Sequence, residues 1–335
     1  MLLIDALYVN NGGGKILLNY LIENLEKSNI QVYYLLDQRL KFDRFFIKDT
    51  NTVVFLKPSL ISRYFFYKKN SNLFSKVLCF GNIPPSIKLT VETYTFFQQA
   101  LFIEIPSNTD FFKIISINLK VFVLKQLKKN TKNWIVQSQN VKNGLVGKYK
   151  LNSSHVHLIP FYPPLKNLNF KFRSKNSYIF VSDGWQYKNH NALLDAFCLF
   201  YDHFKIGQLL LTISDKFINL TERISNLQKM GYPIVNLGIL KRDDLAAVYS
   251  QLEFLVFPSL VESFGLGIVE AIENGCKIIG ADLPYMHAIC KPSIIFNPNC
   301  IHDIFTAFVK SLNPNIKDTI PKVKNEIQTL INILK

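Results

Sequence analysis

Two consecutive doubly wound α/β domains, each a parallel sheet covered by helices, are what this 335-residue sequence predicts. Three observations carry the expectation. Strand-like apolar runs alternate with longer amphipathic stretches, the rhythm of βαβ units. That alternation breaks at Ile159-Pro160-Phe161-Tyr162-Pro163-Pro164 and then restarts. The length also suits about two domains at roughly 100–200 residues each.

Residues 2–9, LLIDALYV, read as a buried first strand, residues 15–26 as an amphipathic helix, and residues 31–36, 76–80 and 133–137 as later strands. The proline cluster and the basic, polar stretch through Asn176 read as the linker. Beyond it, strands are expected over 177–181, 208–213, 234–237 and 254–257, alternating with helices over 189–204, 220–230 and 243–250. A helix after Gly265 leads to a strand at 277–279, and a last apolar-periodic helix over 322–334 is expected to pack on one of the domains. The division is therefore 1–163, 164–318 and a C-terminal helix in 319–335. Two such open sheets facing each other would leave a cleft at the carboxyl ends of their strands, where sheets of this kind bind ligands. The sequence shows neither a solenoid-type repeat nor a low-complexity tract.

Composition narrows the classes. With 48% hydrophobic residues and 28 Phe the chain has ample apolar surface for two cores, which excludes a largely disordered protein. The five cysteines are scattered without Cys-x-x-Cys spacing, which favours a reducing compartment and argues against structural zinc. The N-terminus has no basic flank and is interrupted by Asp5, so it does not read as a secretory signal, and a cytoplasmic protein is expected. No uninterrupted apolar run reaches the ~20 residues a bilayer span needs. The formal charge is +15, and residues 1–160 hold 21 Lys+Arg against 9 Asp+Glu, leaving 18 against 15 in the remainder. A basic first half points to a polyanionic partner: nucleic acid, an anionic lipid surface or phosphorylated small molecules.

Two constellations carry chemistry. Asn10-Asn11-Gly12-Gly13-Gly14-Lys15 lies between the first strand and the first helix. Gly12, Gly13 and Gly14 allow close backbone approach, and the free N–H groups of a helix start favour an anion. The spacing fits neither a dinucleotide fingerprint nor a P-loop, and a plain βα turn is the competing reading. The sharper constellation runs from Phe257 to Ala271, FPSLVESFGLGIVEA, with Glu262 and Glu270 eight positions apart across a strand end, a glycine bend and a helix start. Glu262 belongs in the loop and Glu270 in the helix, so both can face one cleft. The amides of Ser263, Phe264, Gly265, Leu266 and Gly267 form an anion-accepting edge. Simple capping of the helix by the two carboxylates is the alternative.

This string resembles the E-x7-E signature of retaining glycosyltransferases of family 4. Further segments agree in order and spacing: the Gly12–Gly14 turn, Ile135-Val136-Gln137-Ser138, Ile159-Pro160, Lys188-Asn189-His190 and Leu237-Gly238. The resemblance covers nearly the whole chain, strongly in the second half and loosely in the first. It implies the GT-B fold, two facing Rossmann-like domains with parallel sheets and a C-terminal helix, with the acceptor on the first domain and a nucleotide sugar on the second. It also implies that Glu270 accepts hydrogen bonds from the donor ribose, that Glu262 contacts the transferred sugar, and that Lys188 neutralises the diphosphate as it leaves. Residues 263–267 and Gly238 would line the donor, and the Gly12–Gly14 turn would close over its phosphates.

Two positions depart from the family pattern. Asp183 stands where many members carry an Arg five residues before the Lys, so another cation must compensate, with Arg242 and Lys241 as candidates. Where the family commonly places a His in the first domain, Thr95-Phe96-Phe97-Gln98-Gln99 offers glutamines, and Gln98 is the candidate substitute. The six histidines show no metal-ligand spacing, so no metal is expected, and His190 reads as a capping or packing residue. No cofactor is expected beyond a nucleoside diphosphate sugar as donor substrate.

Residues 111–129, FFKIISINLKVFVLKQLKK, interleave lysines with bulky apolar residues, as does a helix lying on an anionic membrane; a solvated lysine face of an ordinary helix is the competing reading. Arg63, Lys68 and Lys69 would add to that basic surface. The expectation is a cytoplasmic retaining hexosyltransferase, peripheral on the inner face of the plasma membrane, acting on a lipid-linked, lipopolysaccharide, O-antigen or capsule glycan. The rivals are a nucleotide-sugar epimerase on the same fold and a non-catalytic nucleic-acid-binding protein, though no nucleic-acid recognition motif is present.

Overall fold

The computed structural model describes residues 1–40, 47–107, 109–165 and 172–335. Part of the stretch read as the linker, residues 166–171, lies outside the described residues. Two compact units form: residues 1–105, 110–163 and 324–335 make the first, and residues 106–109 with 164–323 the second.

The first unit is built from β1 (Leu2–Ala6), α1 (Gly12–Glu26), β2 (Val32–Asp37), β3 (Thr52–Leu56), α2 (Leu60–Asn70), β4 (Lys76–Cys79), β5 (Glu92–Phe96), α3 (Phe111–Leu127), β6 (Asn133–Val136), α4 (Gln139–Tyr149) and β7 (Val156–Leu158). Its seven strands run in the order β3-β2-β1-β4-β5-β6-β7, every pairing parallel. Strand β1 is apolar almost throughout because helices cover both faces of a parallel sheet, and all five of its residues are buried. It ends three residues earlier than the apolar run, since Tyr8 takes a left-handed φ of 78° that turns the chain toward α1. Strands β3, β5 and β7 and helices α2 and α4 are not evident from the sequence pattern. The strands have only three to five residues, too few for a periodic signature.

Arg63 corrects the basic surface expected on this unit. It is only 2% exposed, and its Nε donates to Asp5 Oδ2 at 2.7 Å. Its other nitrogens donate to the carbonyls of Pro84 at 2.6 Å and Ile83 at 2.9 Å, while Tyr67 Oη donates to the same Asp5 oxygen at 2.6 Å. Burial disfavours the guanidinium charge, but the Asp5 carboxylate, Cys79 and Tyr67 together outweigh it and Arg63 stays firmly cationic. With its donors satisfied by a carboxylate and two carbonyls, the buried ion is held as a structural post rather than offered to a partner.

The second unit comprises β8 (Ser174–Phe180), α5 (His190–Phe204), β9 (Gln208–Leu211), α6 (Ile218–Lys229), β10 (Ile234–Asn236), α7 (Arg242–Gln251), β11 (Leu252–Phe257), α8 (Leu266–Glu273), β12 (Lys277–Ala281), α9 (Pro284–Ile289), β13 (Cys290–Lys291), β14 (Ile294–Phe296), α10 (Ile301–Lys310) and β15 (Ile320–Pro321). Its six-stranded parallel sheet has the order β10-β9-β8-β11-β12-β14. Tyr178 sits at the centre of its core, stacked on Phe254 at 5.5 Å and edge-on to Phe308 at 4.8 Å.

Helix α11 (Ile327–Leu334) returns to the first unit. It is shorter than the 322–334 expected, because residues 320–321 pair antiparallel with β13. Asn325 then breaks the path, its Nδ2 donating to Tyr20 Oη at 2.9 Å and to the Tyr162 carbonyl at 2.8 Å. Ile327, Leu330, Ile331 and Leu334, spaced for one helical face, are buried.

Candidate active site

Both sheets reverse their strand order beside the first strand of the unit, between β1 and β4 and between β8 and β11. At such switch points the loops leaving the carboxyl ends diverge and open a crevice. In the second unit the β8 loop carries Lys188 and the β11 loop carries Glu262. Lys188 Nζ donates to Glu262 Oε1, an ion pair across the switch point. The loops are also tied by their backbones, Leu260 N donating to the Tyr187 carbonyl at 2.8 Å. Tyr285 Oη donates to the Ser259 carbonyl at 2.6 Å and steadies the same loop. Burial pulls the Lys188 ammonium down, yet the Glu262 charge and hydrogen bond, with Tyr187 and Asp183, together more than offset it and the lysine is held protonated.

The second glutamate has its own cation. Gly265 bends the chain into α8 with φ 72°, and a methyl there would stand 2.7 Å from Ile268 Cδ1, so both conformation and space require glycine. Ser263 and Phe264 lie in the loop before this bend, Phe264 buried, while Leu266 and Gly267 form the first turn of α8. Glu270 follows one turn later and is buried. Its Oε1 accepts from Arg242 Nη1 at 2.6 Å. Arg242 opens α7, and Gly238 lies in the turn ahead of that helix, its N–H donating to Asn236 Oδ1 at 3.3 Å. Burial lifts the Glu270 carboxyl to about 7, although Arg242 draws it down. In the free protein each glutamate is thus matched to a basic side chain, and an incoming anion would find two cations already poised there.

In the first unit, Gly12 and Gly13 are exposed at the start of α1, and a Cβ on either would meet nothing within 4 Å. Gln98 lies beside that turn: a methyl at Gly14 would stand 3.1 Å from Gln98 Nε2. The Gln98 backbone donates to Asn82 Oδ1 at 2.7 Å, which fixes the residue just beyond β5. The structure therefore brings Gln98 together with Gly12–Gly14 in one unit, and Lys188, Arg242, Glu262 and Glu270 with their loops in the other.

Two further residues stand out. Asp183 carries Lys216 Nζ at 3.0 Å, and this lysine lies 4.8 Å from the Phe217 ring centroid. Lys216, thirty-three positions away and in no motif, thus supplies positive charge beside the position where the resemblance called for Arg. Only the βα loop after β9, which brings it to the β8 loop, reveals it. Gly184, Trp185, Gln186 and Asn189 line a hollow of about 700 Å³ with Lys216 and Phe217; it shares the β8 loop with Lys188 but is lined by neither glutamate. His190 packs 4.7 Å from the Phe180 ring, and burial, helped by the Lys188 charge, drops it to about 3, so it is neutral. Among the described residues, no group of three or more His, Cys, Asp or Glu could hold a metal ion.

The sequence profile of the family Glycosyl transferases group 1 matches residues 164–303, which span Lys188, Arg242, Glu262 and Glu270. That match takes in most of the second unit and none of the first. A curated relative, the O-antigen chain mannosyltransferase RfbU of Salmonella typhimurium, is 23% identical over 181 residues, 53% of this chain and 50% of the relative. The chain thus spans about half the length of that relative. Sucrose-phosphate synthase from Thermosynechococcus elongatus superposes with a TM-score of 0.72 at 15% identity, covering 93% of this chain and 89% of that one. HepE from Anabaena, solved with UDP-glucose, superposes at 0.67 with 12% identity, covering 93% and 89%. The fold of the chain is GT-B, as the E-x7-E string implied.

Proposed function

We propose that this chain is a retaining hexosyltransferase that takes its sugar from a nucleoside diphosphate donor, needs no metal, and extends a lipid-linked or lipopolysaccharide-type surface glycan at the inner face of the membrane. The observation that carries the reading is the double pairing on the second unit, Lys188 with Glu262 and Arg242 with Glu270, one pair spanning the switch point. A nucleotide sugar carries two kinds of group these pairs can receive. Its diphosphate takes the ammonium and guanidinium, and its hydroxyls donate to the carboxylates so released. The kinship with an O-antigen chain mannosyltransferase and the likeness to a protein that holds UDP-glucose support the surface-glycan and donor classes.

The chemistry then follows from charge. The bond between the anomeric carbon and the diphosphate oxygen breaks with both electrons going to oxygen. Lys188 and Arg242 stabilise that developing charge, the role a metal plays elsewhere. The acceptor hydroxyl attacks from the face the diphosphate leaves, its proton passes to the diphosphate, and the anomeric configuration is kept. Taken by itself, the first unit offers the Gly12–Gly14 turn and Gln98 as its own candidates for contact with phosphate and sugar.

The test is the product. With the cognate donor and a glycan acceptor, proton NMR of the isolated product should show the donor's anomeric configuration in the new linkage, with chelator in the buffer. An inverted linkage, a requirement for divalent metal, or conversion of the donor to an epimer without acceptor would each overturn the reading.

A further inference from the structure

Helix α3 is apolar on two opposite sides. Ile117, Val121 and Leu124, spaced i, i+4 and i+7, are buried against the first unit. Phe112, Ile115, Leu119 and Phe122, spaced i, i+3, i+7 and i+10, form a second stripe about half a turn away, and all four are exposed, Phe112 at 78% and Leu119 at 65%. A helix that is apolar all round ordinarily lies in a core or in lipid. Helix α2 repeats the arrangement: Arg63, Phe66 and Tyr67 face inward while Ile61, Tyr64 and Phe65 face out. The two outer faces are continuous, because Leu60 and Tyr64 of α2 meet Phe122, Val123 and Leu127 of α3 along an apolar groove of about 230 Å³.

Apart from Asp110, which caps the start of α3, the charge along these two helices is positive. No Asp or Glu occurs between residues 50 and 91, nor between Asp110 and Asp183. Lys68 and Lys69 end α2, and Lys120, Lys125 and Lys129 lie on or just past α3, all exposed. Arg63, buried on Asp5, takes no part. A second copy of the chain is a poor occupant, since it would set lysine against lysine, and the lysine-bearing rim equally disfavours a basic partner.

We infer that the outer face of α2 and α3 docks on an anionic lipid bilayer, with Ile61, Phe65, Phe112, Ile115, Leu119 and Phe122 entering the acyl boundary and the lysines resting among the headgroups. Among the described residues no helix is long and apolar enough to cross a membrane, so the face lies on the bilayer. This deepens the lipid-linked acceptor reading and rests on it for its purpose, but vesicle binding needs neither donor nor acceptor, so the two fail separately.

The experiment is co-sedimentation of the full chain with vesicles of equal parts phosphatidylglycerol and phosphatidylcholine, and with phosphatidylcholine alone. Binding to the anionic vesicles should exceed binding to the neutral ones by about tenfold or more and weaken with salt. Phe112→Ser with Leu119→Ser should lower it about tenfold with the melting temperature unchanged. Lys120→Glu with Lys125→Glu should remove the preference for anionic lipid, and Glu270→Ala should bind vesicles as the parent does. Equal sedimentation with both vesicle types, parent-like binding by the Phe112/Leu119 variant, or a dimer that this variant dissolves would overturn the inference.

Discussion

The two units share a strand order and differ at the place where that order matters. At the β8/β11 switch point the second unit presents two carboxylates, each already paired with a cation. At the β1/β4 switch point the first unit presents the exposed Gly12 and Gly13 with Gln98 beside the turn, and it puts one ion pair, Arg63 with Asp5, inside the protein. Topology thus supplies a crevice in both, and side chains decide whether that crevice holds paired charge or exposed glycine backbone. The same contrast separates the ion pairs themselves. Arg63–Asp5 is enclosed and every nitrogen of the Arg63 side chain donates a hydrogen bond, so it holds structure, whereas Arg242 remains partly exposed beside a buried Glu270 and can change partner.

The largest effect should come from breaking the enclosed pair. Arg63→Met leaves the buried Asp5 carboxyl without its ion-pair partner, which costs about 3–5 kcal/mol. The melting temperature should fall by about 10 °C or more in calorimetry. A fall no larger than for an exposed lysine such as Lys68→Met would show that the first unit's pair is not structural.

Next in size is Lys188→Ala. Removing one preorganised charge where negative charge develops should lower kcat about 10²–10³-fold. Near-normal turnover would erase the distinction between the two units' ion pairs. Glu270→Gln sharpens the comparison through pH. Burial lifts the Glu270 carboxyl to about 7, so the carboxylate that would accept the donor's hydroxyls is in the minority at pH 6 and dominant at pH 8. Donor affinity in the parent should therefore rise about tenfold over that interval and stay flat in Glu270→Gln. The stability sign is opposite: the unfolded carboxyl, near its ordinary 4.5, gives up its proton first, so this group lowers stability as pH rises from about 4.5 to about 7 and no further above. The smallest effect belongs to the first unit, where Gly14→Ala sets a methyl 3.1 Å from Gln98 Nε2 and should lower kcat/KM a few-fold. A loss as large as that of Lys188→Ala would mean the glycine turn does more than approach the phosphates.

The legibility of the two units differs for a physical reason. The second unit's site is written mostly in consecutive residues, Phe257 to Ala271, because one strand, one bend and one helix start place it; its pattern could be read without coordinates. The partners of its glutamates could not, since Lys188 and Arg242 are brought to them from other loops only by the parallel sheet. Lys216 beside Asp183 is the extreme case, a surface lysine in sequence and a charge beside the β8 loop in space. Arg63 misled in the other direction: within a run of exposed-looking basic residues, nothing local signals that it turns inward to Asp5, fifty-eight positions earlier. The outer stripe of α3 was half legible, because interleaved lysines and aromatics suggest an interface, but which side is already buried is settled only by Ile117, Val121 and Leu124.

The central claim, that the two carboxylate–cation pairs receive an activated sugar, is met most directly by thermal shift of the full chain across a panel of nucleoside diphosphate sugars, repeated on Glu270→Ala and Lys188→Ala. At least one donor should raise the melting temperature of the parent by several degrees and leave both variants nearly unmoved. A donor that shifts the variants as much as the parent, or a panel in which no donor shifts the parent, would contradict it.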